Sequence, residues 1–127
     1  MKDDSIRQTA DRLAQVISLF REFDPKMELG QLLIFLYVAA QPGIQMKELE
    51  RLTGLTKSAM SRNVKALSDR SYLTDEAGDS LPGHHLVSSA ENPFNRRSLL
   101  VSATGAGRAA MVKVARLLNQ STLPKTT

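Results

Sequence analysis

Between Met46 and Arg70 the apolar residues fall on two short helical stripes, one on either side of Gly54. Met46, Leu49 and Leu52 recur every third residue; Met60, Val64 and Leu67 follow at spacings of four and three. Each set therefore lies along one face of a helix. Gly54 supplies the turn between them. Thr56 is a good N-cap for the second helix, with Leu55 and Met60 at the N′ and N4 positions of a hydrophobic staple. The second helix is expected to run from Lys57 to about Arg70. Its inward stripe anchors it, so its other face is displayed rigidly at the surface. Lys57, Ser58, Ser61, Arg62 and Lys65 lie on that face, and no acidic residue intervenes before Asp69. Lys and Arg can meet phosphates or the guanine O6/N7 pair, and Ser can donate to phosphates or base edges.

The flanking segments extend the helical reading. In residues 5–23, Ile6, Ala10, Leu13, Ile17 and Phe20 form one stripe, widened by Val16 and Phe23. Asp24-Pro25 stops that helix, because the residue before proline is pushed out of the α region. Residues 27–40 are apolar all round, which predicts a helix buried all round. Gln41-Pro42-Gly43 ends it. After Tyr72-Leu73 the periodicity fades, and residues 74–95, with Gly78, Pro82, Gly83, Asn92 and Pro93, read mostly as loop. His84–Ser88 is a possible short strand. Ser98–Ala103 alternates as a strand, with Leu99, Val101 and Ala103 on one face. A last helix is expected from about Thr104, with Ala110, Val114 and Leu117 as its stripe, Met111 and Leu118 beside it, and a frayed end at 121–127. The expected fold is mainly α with a small β wing: two short helices, a tight turn, then strand, loop and strand describe a winged helix-turn-helix.

At 127 residues the chain is the size of one domain, 1–127. It contains no Cys and no Trp, which excludes disulfides, thiolate zinc sites, iron–sulfur clusters and cysteine nucleophiles. The longest apolar run, Leu32 to Ala40, is far short of the ~20 residues that span a bilayer, and the first residues lack a signal-peptide apolar region. These features suggest a cytoplasmic protein with no membrane partner. Charge is uneven. Residues 29–73 hold six basic and three acidic groups, residues 100–127 four basic and none acidic, and residues 74–99 two basic and four acidic. The basic excess favours a polyanion. The adjacent His84 and His85, near Asp75, Glu76, Asp79 and Glu91, invite a metal reading, but neighbouring histidines in a loop point different ways; no metal and no cofactor is expected. No nucleophile elbow, phosphate loop or H-E-x-x-H motif is present, so no enzymatic activity is expected.

Over roughly residues 27–118 the chain resembles the MarR-type (multiple antibiotic resistance regulator) winged-helix transcription factors. The likeness lies in P-G-I-Q-M-K-E-L-E-R-L-T-G-L-T-K-S-A-M-S-R-N-V-K-A-L and in N-P-F-N-R-R-S-L-L-V-S-A-T-G-A-G. The family's counterpart of the second stretch is a D-x-R, a strand, then T-x-x-G opening a helix; here Arg97 takes the Arg position, and Thr104 and Gly107 the others. The resemblance implies a homodimer seamed by the terminal helices, 5–23 and 104–120, with the helix-turn-helix and wing in 44–103. Dimer contacts would fall to Ile6, Leu13, Ile17, Phe20, Val114, Leu117 and Leu118. Helix 57–70 would enter the major groove through Lys57, Ser58, Ser61, Arg62 and Lys65, and wing 74–98 would bring Arg96 and Arg97 to the flanking minor groove. The chain departs from the family pattern at Asn95, where the Asp that braces the wing Arg usually stands. It departs again at Ser71, where the recognition helix usually ends in Gly, and in its long wing and short termini.

The function expected from these features is sequence-specific binding of double-stranded DNA by a transcriptional regulator, in the manner of a repressor. A small-molecule effector is typical of the family but has no fixed sequence motif. Two alternatives remain open at this stage. One is a winged helix used as a protein-interaction module in a replication or transcription assembly. The other is an architectural DNA binder without sequence preference.

Overall fold

A computed structural model describes residues 3–119. The elements in chain order are α1 (Asp3–Phe23), α2 (Leu29–Ala40), β1 (Ile44–Gln45), α3 (Met46–Thr53) and α4 (Lys57–Leu67), followed by β2 (Arg70–Thr74), β3 (Ser80–Pro82), β4 (Val87–Asn92), β5 (Asn95–Ala103) and α5 (Gly105–Leu118). The strands form a three-stranded antiparallel sheet, β1-β5-β4, and a separate β2-β3 hairpin. This is the winged helix-turn-helix that the sequence leads one to expect. Among the described residues, no helix is long and apolar enough to cross a membrane.

One core joins the five helices with β1, β4 and β5. Phe20 of α1 packs on Phe35 of α2 with ring centroids 5.5 Å apart. Ile34, Phe35, Val38, Leu49, Met60, Leu67, Leu86, Val101, Ala110 and Val114 close around them, all buried. At ~1.5–3 kcal/mol per fully buried large apolar side chain, this cluster dominates the stability of so small a domain.

The helix ends follow the sequence signals. Gly54 has φ +75° and closes α3 in the left-handed conformation. Thr56 caps α4, its hydroxyl oxygen accepting from the Ala59 amide at 3.1 Å. Asp24 accepts from the Lys26 amide at 2.8 Å and turns the chain between α1 and α2.

Five expectations need correction. Helix α4 stops at Leu67 rather than about Arg70, with Ser68 as its C-cap at φ −92°. Ser71 therefore lies in β2 and is not asked to adopt a left-handed cap. Residues 74–95 are not mostly loop: they contain the end of β2, all of β3 and all of β4. The signal was missed because β4 shows four exposed residues in succession after Val87, so alternation is absent. The predicted strand His84–Ser88 begins only at Val87, and the strand beyond it runs on to Asn92. Helix α2 is not buried all round, because Leu29 is 77% exposed and Leu33 40% exposed. Helix α5 closes at Leu118 with Asn119 as its C-cap, short of the expected 120, and the expectation of a frayed 121–127 lies outside the described residues.

The segment Gly83–Leu86 ties the fold together. Its amides donate in turn to carbonyls at the end of α4: Gly83 to Asp69, His84 to Ala66, His85 to Ser68 and Leu86 to Leu67, at 2.8–3.0 Å. Carbonyls that a helix leaves unpaired at its C-terminus are thereby satisfied. On the other side, Thr104 donates its amide to Leu86 O at 3.0 Å and its hydroxyl to His85 O at 2.6 Å. The same Thr104 oxygen caps α5 by accepting from Gly107 N at 3.0 Å. A Cβ on Gly107 would collide with the Leu86 carbonyl, and one on Gly83 with the Ser68 carbonyl. The T-x-x-G spacing is thus a cap plus a close approach of two backbones.

Substituting Gly107→Ala should lower the unfolding free energy by about 1–3 kcal/mol, because the backbone on both sides must shift. Gly105→Ala is the control: its nearest neighbour would be Arg108 Nη2 at 3.9 Å, ordinary contact distance. That variant should unfold within about 0.5 kcal/mol of the parent, as measured by urea titration of both.

Candidate nucleic-acid interface

The outer face of α4 is built as the sequence leads one to expect. Met60, Val64, Ala66 and Leu67 are buried, while Lys57, Ser58, Arg62 and Lys65 are exposed and Ser61 is half-buried. The pairs Lys57–Ser61, Ser58–Arg62 and Ser61–Lys65, each four residues apart, keep these side chains on one side of the helix. The Thr56 cap fixes where the helix starts and hence where Lys57 and Ser58 stand. A second anchor lies across the helix, where Gln31 of α2 donates from Nε2 to Asn63 Oδ1 at 3.3 Å.

The wing is the β4–β5 hairpin. Its strands pair from Val87↔Ala103 to Asn92↔Asn95, with an irregularity between Glu91 and Asn92. The turn residues are Pro93 and Phe94. Asn92 Oδ1 accepts from the Phe94 amide at 3.0 Å, and Asn95 Oδ1 from the Arg97 amide at 3.1 Å. Asn95, which replaces the family's Asp, therefore braces Arg97 through the backbone. Arg97 is exposed. The side chain of Arg96 lies outside the described residues.

Wing and helices meet at a cleft of about 320 Å³ lined by Met46, Lys47, Glu50, Lys57, Asn95, Arg97 and Ser98. Three cations from three elements, Lys47 of α3, Lys57 of α4 and Arg97 of β5, converge on it against one carboxylate, Glu50. At its floor is a further polar group. Ser98 is only 8% exposed, and among the described residues its hydroxyl has no hydrogen-bond partner. A buried hydroxyl without a partner costs roughly 1–3 kcal/mol, and this one lies beneath the cleft surface, with under 1 Å² accessible. Lys47 and Ser98 were not among the candidate residues from sequence. Lys47 sits in the basic block 29–73, but its role depends on the wing folding back against α3. Arg51, the other cation of α3, is engaged differently: its guanidinium hydrogen-bonds Glu48 in an ion pair and holds that carboxyl below its usual range.

The histidines diverge. His84 is mostly buried, with Nε2 3.1 Å from Asp24 Oδ2, whereas His85 is exposed and takes a left-handed φ of 58°. Among the described residues no group of three His, Asp or Glu is placed to hold a metal.

The stripe assigned to dimer contact divides. Phe20 and Val114 are 1% and 3% exposed within the chain's own core, and so have little surface left for a second subunit. Leu117 is half-buried against the same core. Ile6, Leu13, Ile17 and Leu118 are exposed by 43–51%. Leu29 joins them, bordering one shallow pocket with Ile17, and Leu33 lies one turn further along α2.

The MarR family model matches residues 26–80, which span α2, the helix-turn-helix and β2 and stop before the β4–β5 wing. Over those residues the chain is similar to the MarR family. Solved structures agree in fold. The MepR–DNA complex of S. aureus superposes with a TM-score of 0.65 at 14% identity, covering 90% of this chain and 82% of that one. RV1404 from Mycobacterium tuberculosis gives 0.64 at 21% identity, over 91% of this chain and 69% of that one. The C80S mutant of E. coli MarR, complexed with operator DNA, gives 0.56 at 19% identity, over 91% and 74%. No curated protein matches the chain by sequence. In this MarR-type fold the T-x-x-G residues Thr104 and Gly107 are the lock described above, which gives that part of the resemblance a physical basis.

Proposed function

We propose that the chain is a transcriptional regulator that binds double-stranded DNA sequence-specifically as a homodimer. The observation that carries the reading is the cationic cleft between α3, α4 and the wing, where Lys47, Lys57 and Arg97 converge. It suits a backbone phosphate, and it lies between the two elements that would enter neighbouring grooves. Helix α4, with Lys57, Ser58, Ser61, Arg62 and Lys65, takes the major groove, and the wing with Arg96 and Arg97 takes the flanking minor groove, whose negative potential favours arginine. MarR-type proteins solved with DNA, MepR and MarR, support this reading, and the operator bound by MarR makes occlusion of a promoter the simplest output. A protein-interaction module would have no need of an anion cleft at the base of its wing. An apolar cleft of about 480 Å³, lined by Ala39, Pro42, Met111, Val112 and Arg108 among others, has room for a small effector.

The dimer seam is assigned to the exposed members of the α1 stripe, Ile6, Leu13 and Ile17, with Leu118. To these we add Leu29 and Leu33, which continue the same apolar band onto α2. Phe20, Val114 and Leu117 support that seam from the core.

Binding to a site selected from a random duplex pool should weaken ~10³–10⁵-fold between ~50 and ~200 mM salt, as expected for 6–10 neutralised phosphates per dimer, roughly. Replacing Arg97 with Ala should weaken all sequences alike and make the salt slope shallower by roughly one per lost contact. A flat salt profile in the parent would overturn the reading and favour the protein-interaction module.

Arg62→Ala should act differently, costing about 1–3 kcal/mol per lost base contact and relaxing preference at one base position per half-site. Competition with single-base variants of the selected duplex measures this. Equal losses on every sequence would favour the architectural binder.

The double variant Leu13→Glu with Ile17→Glu should be a folded monomer, since both side chains are at least 43% exposed. Light scattering and circular dichroism check mass and folding together, and a well-behaved dimer would place the seam elsewhere.

A further inference from the structure

Among the described residues Phe94 is the most exposed of the large apolar side chains, at 96%. It stands at the tip of the wing in the two-residue turn Pro93-Phe94, beyond reach of the core. The turn is not loosely held. The Asn92 carboxamide accepts from Phe94's own amide at 3.0 Å, and the Asn95 carboxamide accepts from Arg97 at 3.1 Å. Pro93 adds a fixed φ. A rigid turn is thus presenting an aromatic ring to solvent at the far end of a hairpin.

The surroundings identify what covers it. The wing's base is one wall of the cleft where Lys47, Lys57 and Arg97 gather over the Ser98 hydroxyl. A partner seated on this face is therefore polyanionic, and its next layer must accept an apolar ring. A nucleic-acid duplex has that construction, with phosphates outside and stacked bases within. Reach agrees with it. Phe94 precedes Arg97 by three residues, about 10 Å of extended strand at ~3.3 Å per residue, and the minor groove is roughly 7.5 Å deep. When Arg97 is held at the phosphate level, the ring arrives at the edges of the base pairs.

Resting on the DNA-binding reading above, we infer that Phe94 is a wedge that enters the minor groove and partly unstacks one base step in each half-site. Apolar side chains used in this way kink the duplex by about 20–90°. The step that yields most readily is a pyrimidine–purine step, TA or CA/TG. Phe94 therefore confers a sequence preference through deformability at a position where no hydrogen bond reads a base.

The test uses the full chain and the duplex selected from a random pool, with Phe94→Ala and Phe94→Leu as variants. Thermal melting should be unchanged in both, because the ring is exposed. Phe94→Ala should bind the selected duplex roughly 5- to 100-fold more weakly, the range seen when an aromatic platform is removed from a base. It should also lose the bend reported by energy transfer between end-labelled strands. 2-Aminopurine placed at the wing-contacted step should brighten with the parent and stay dark with Phe94→Ala; the chain's lack of Trp leaves that signal clean. Phe94→Leu, which keeps an apolar wedge, should recover part of the bend. Parent-like affinity and bend in Phe94→Ala would overturn the wedge while leaving DNA binding intact. A change in oligomeric mass of Phe94→Ala without DNA would overturn it too, by assigning the ring to a second copy. Absence of duplex binding by the parent would overturn the DNA-binding reading itself, and the wedge with it.

Discussion

The arrangement of helices and wing depends on one strip of backbone, Gly83–Leu86. On one side its amides satisfy the terminal carbonyls of α4, and on the other its carbonyls receive Thr104. Both contacts are close enough that Gly83 and Gly107 cannot carry a side chain without displacement. Leu86, fully buried, plugs the strip into the core. The recognition helix, the entry to the wing and the start of α5 are consequently one mechanical unit. The β2–β3 hairpin leaves this unit undisturbed, because it leaves and rejoins the chain at the end of α4.

That rigidity matters for the interface. The basic cleft needs residues from three elements, and no one of these cations makes an anion site alone. Lys47 is an ordinary exposed lysine on a short helix, Lys57 begins a capped helix and Arg97 lies on a strand. Only a wing held against α3 and α4 brings the three together over Ser98. The buried, unpartnered hydroxyl is a local cost of packing the wing there.

The apolar surface tells a similar story. A single stripe on α1 was legible as a helix seam, but burial divides it between two tasks. Phe20 meets Phe35 inside the chain, while Leu13 and Ile17 face outward beside Leu29. Periodicity identifies the stripe and cannot divide it, because core and subunit interface make the same demand on a side chain. Helix α2 shows the complement: uniform hydrophobicity suggested complete burial, yet its first turns leave Leu29 and Leu33 uncovered.

The sequence by itself determined the helices and their ends, because those signals are local. Apolar spacing, the Thr56 and Thr104 caps, Gly54 with its positive φ, and Asp24-Pro25 each act over four or five residues. It also determined which face of α4 is polar and basic. Tertiary structure alone decided the β2–β3 hairpin and the β4–β5 wing, since strand pairing joins separate segments and β4 exposes four residues in a row without alternation. It likewise decided that α4 ends at Leu67, where carbonyls find partners in Gly83–Leu86. The company of Lys47 and Ser98 with Arg97 was its decision too. About fifty residues separate Lys47 from the other two, and no pattern within either segment records the other. Local chemistry wrote the elements, and long-range backbone pairing, which sequence spacing does not encode, placed the charges.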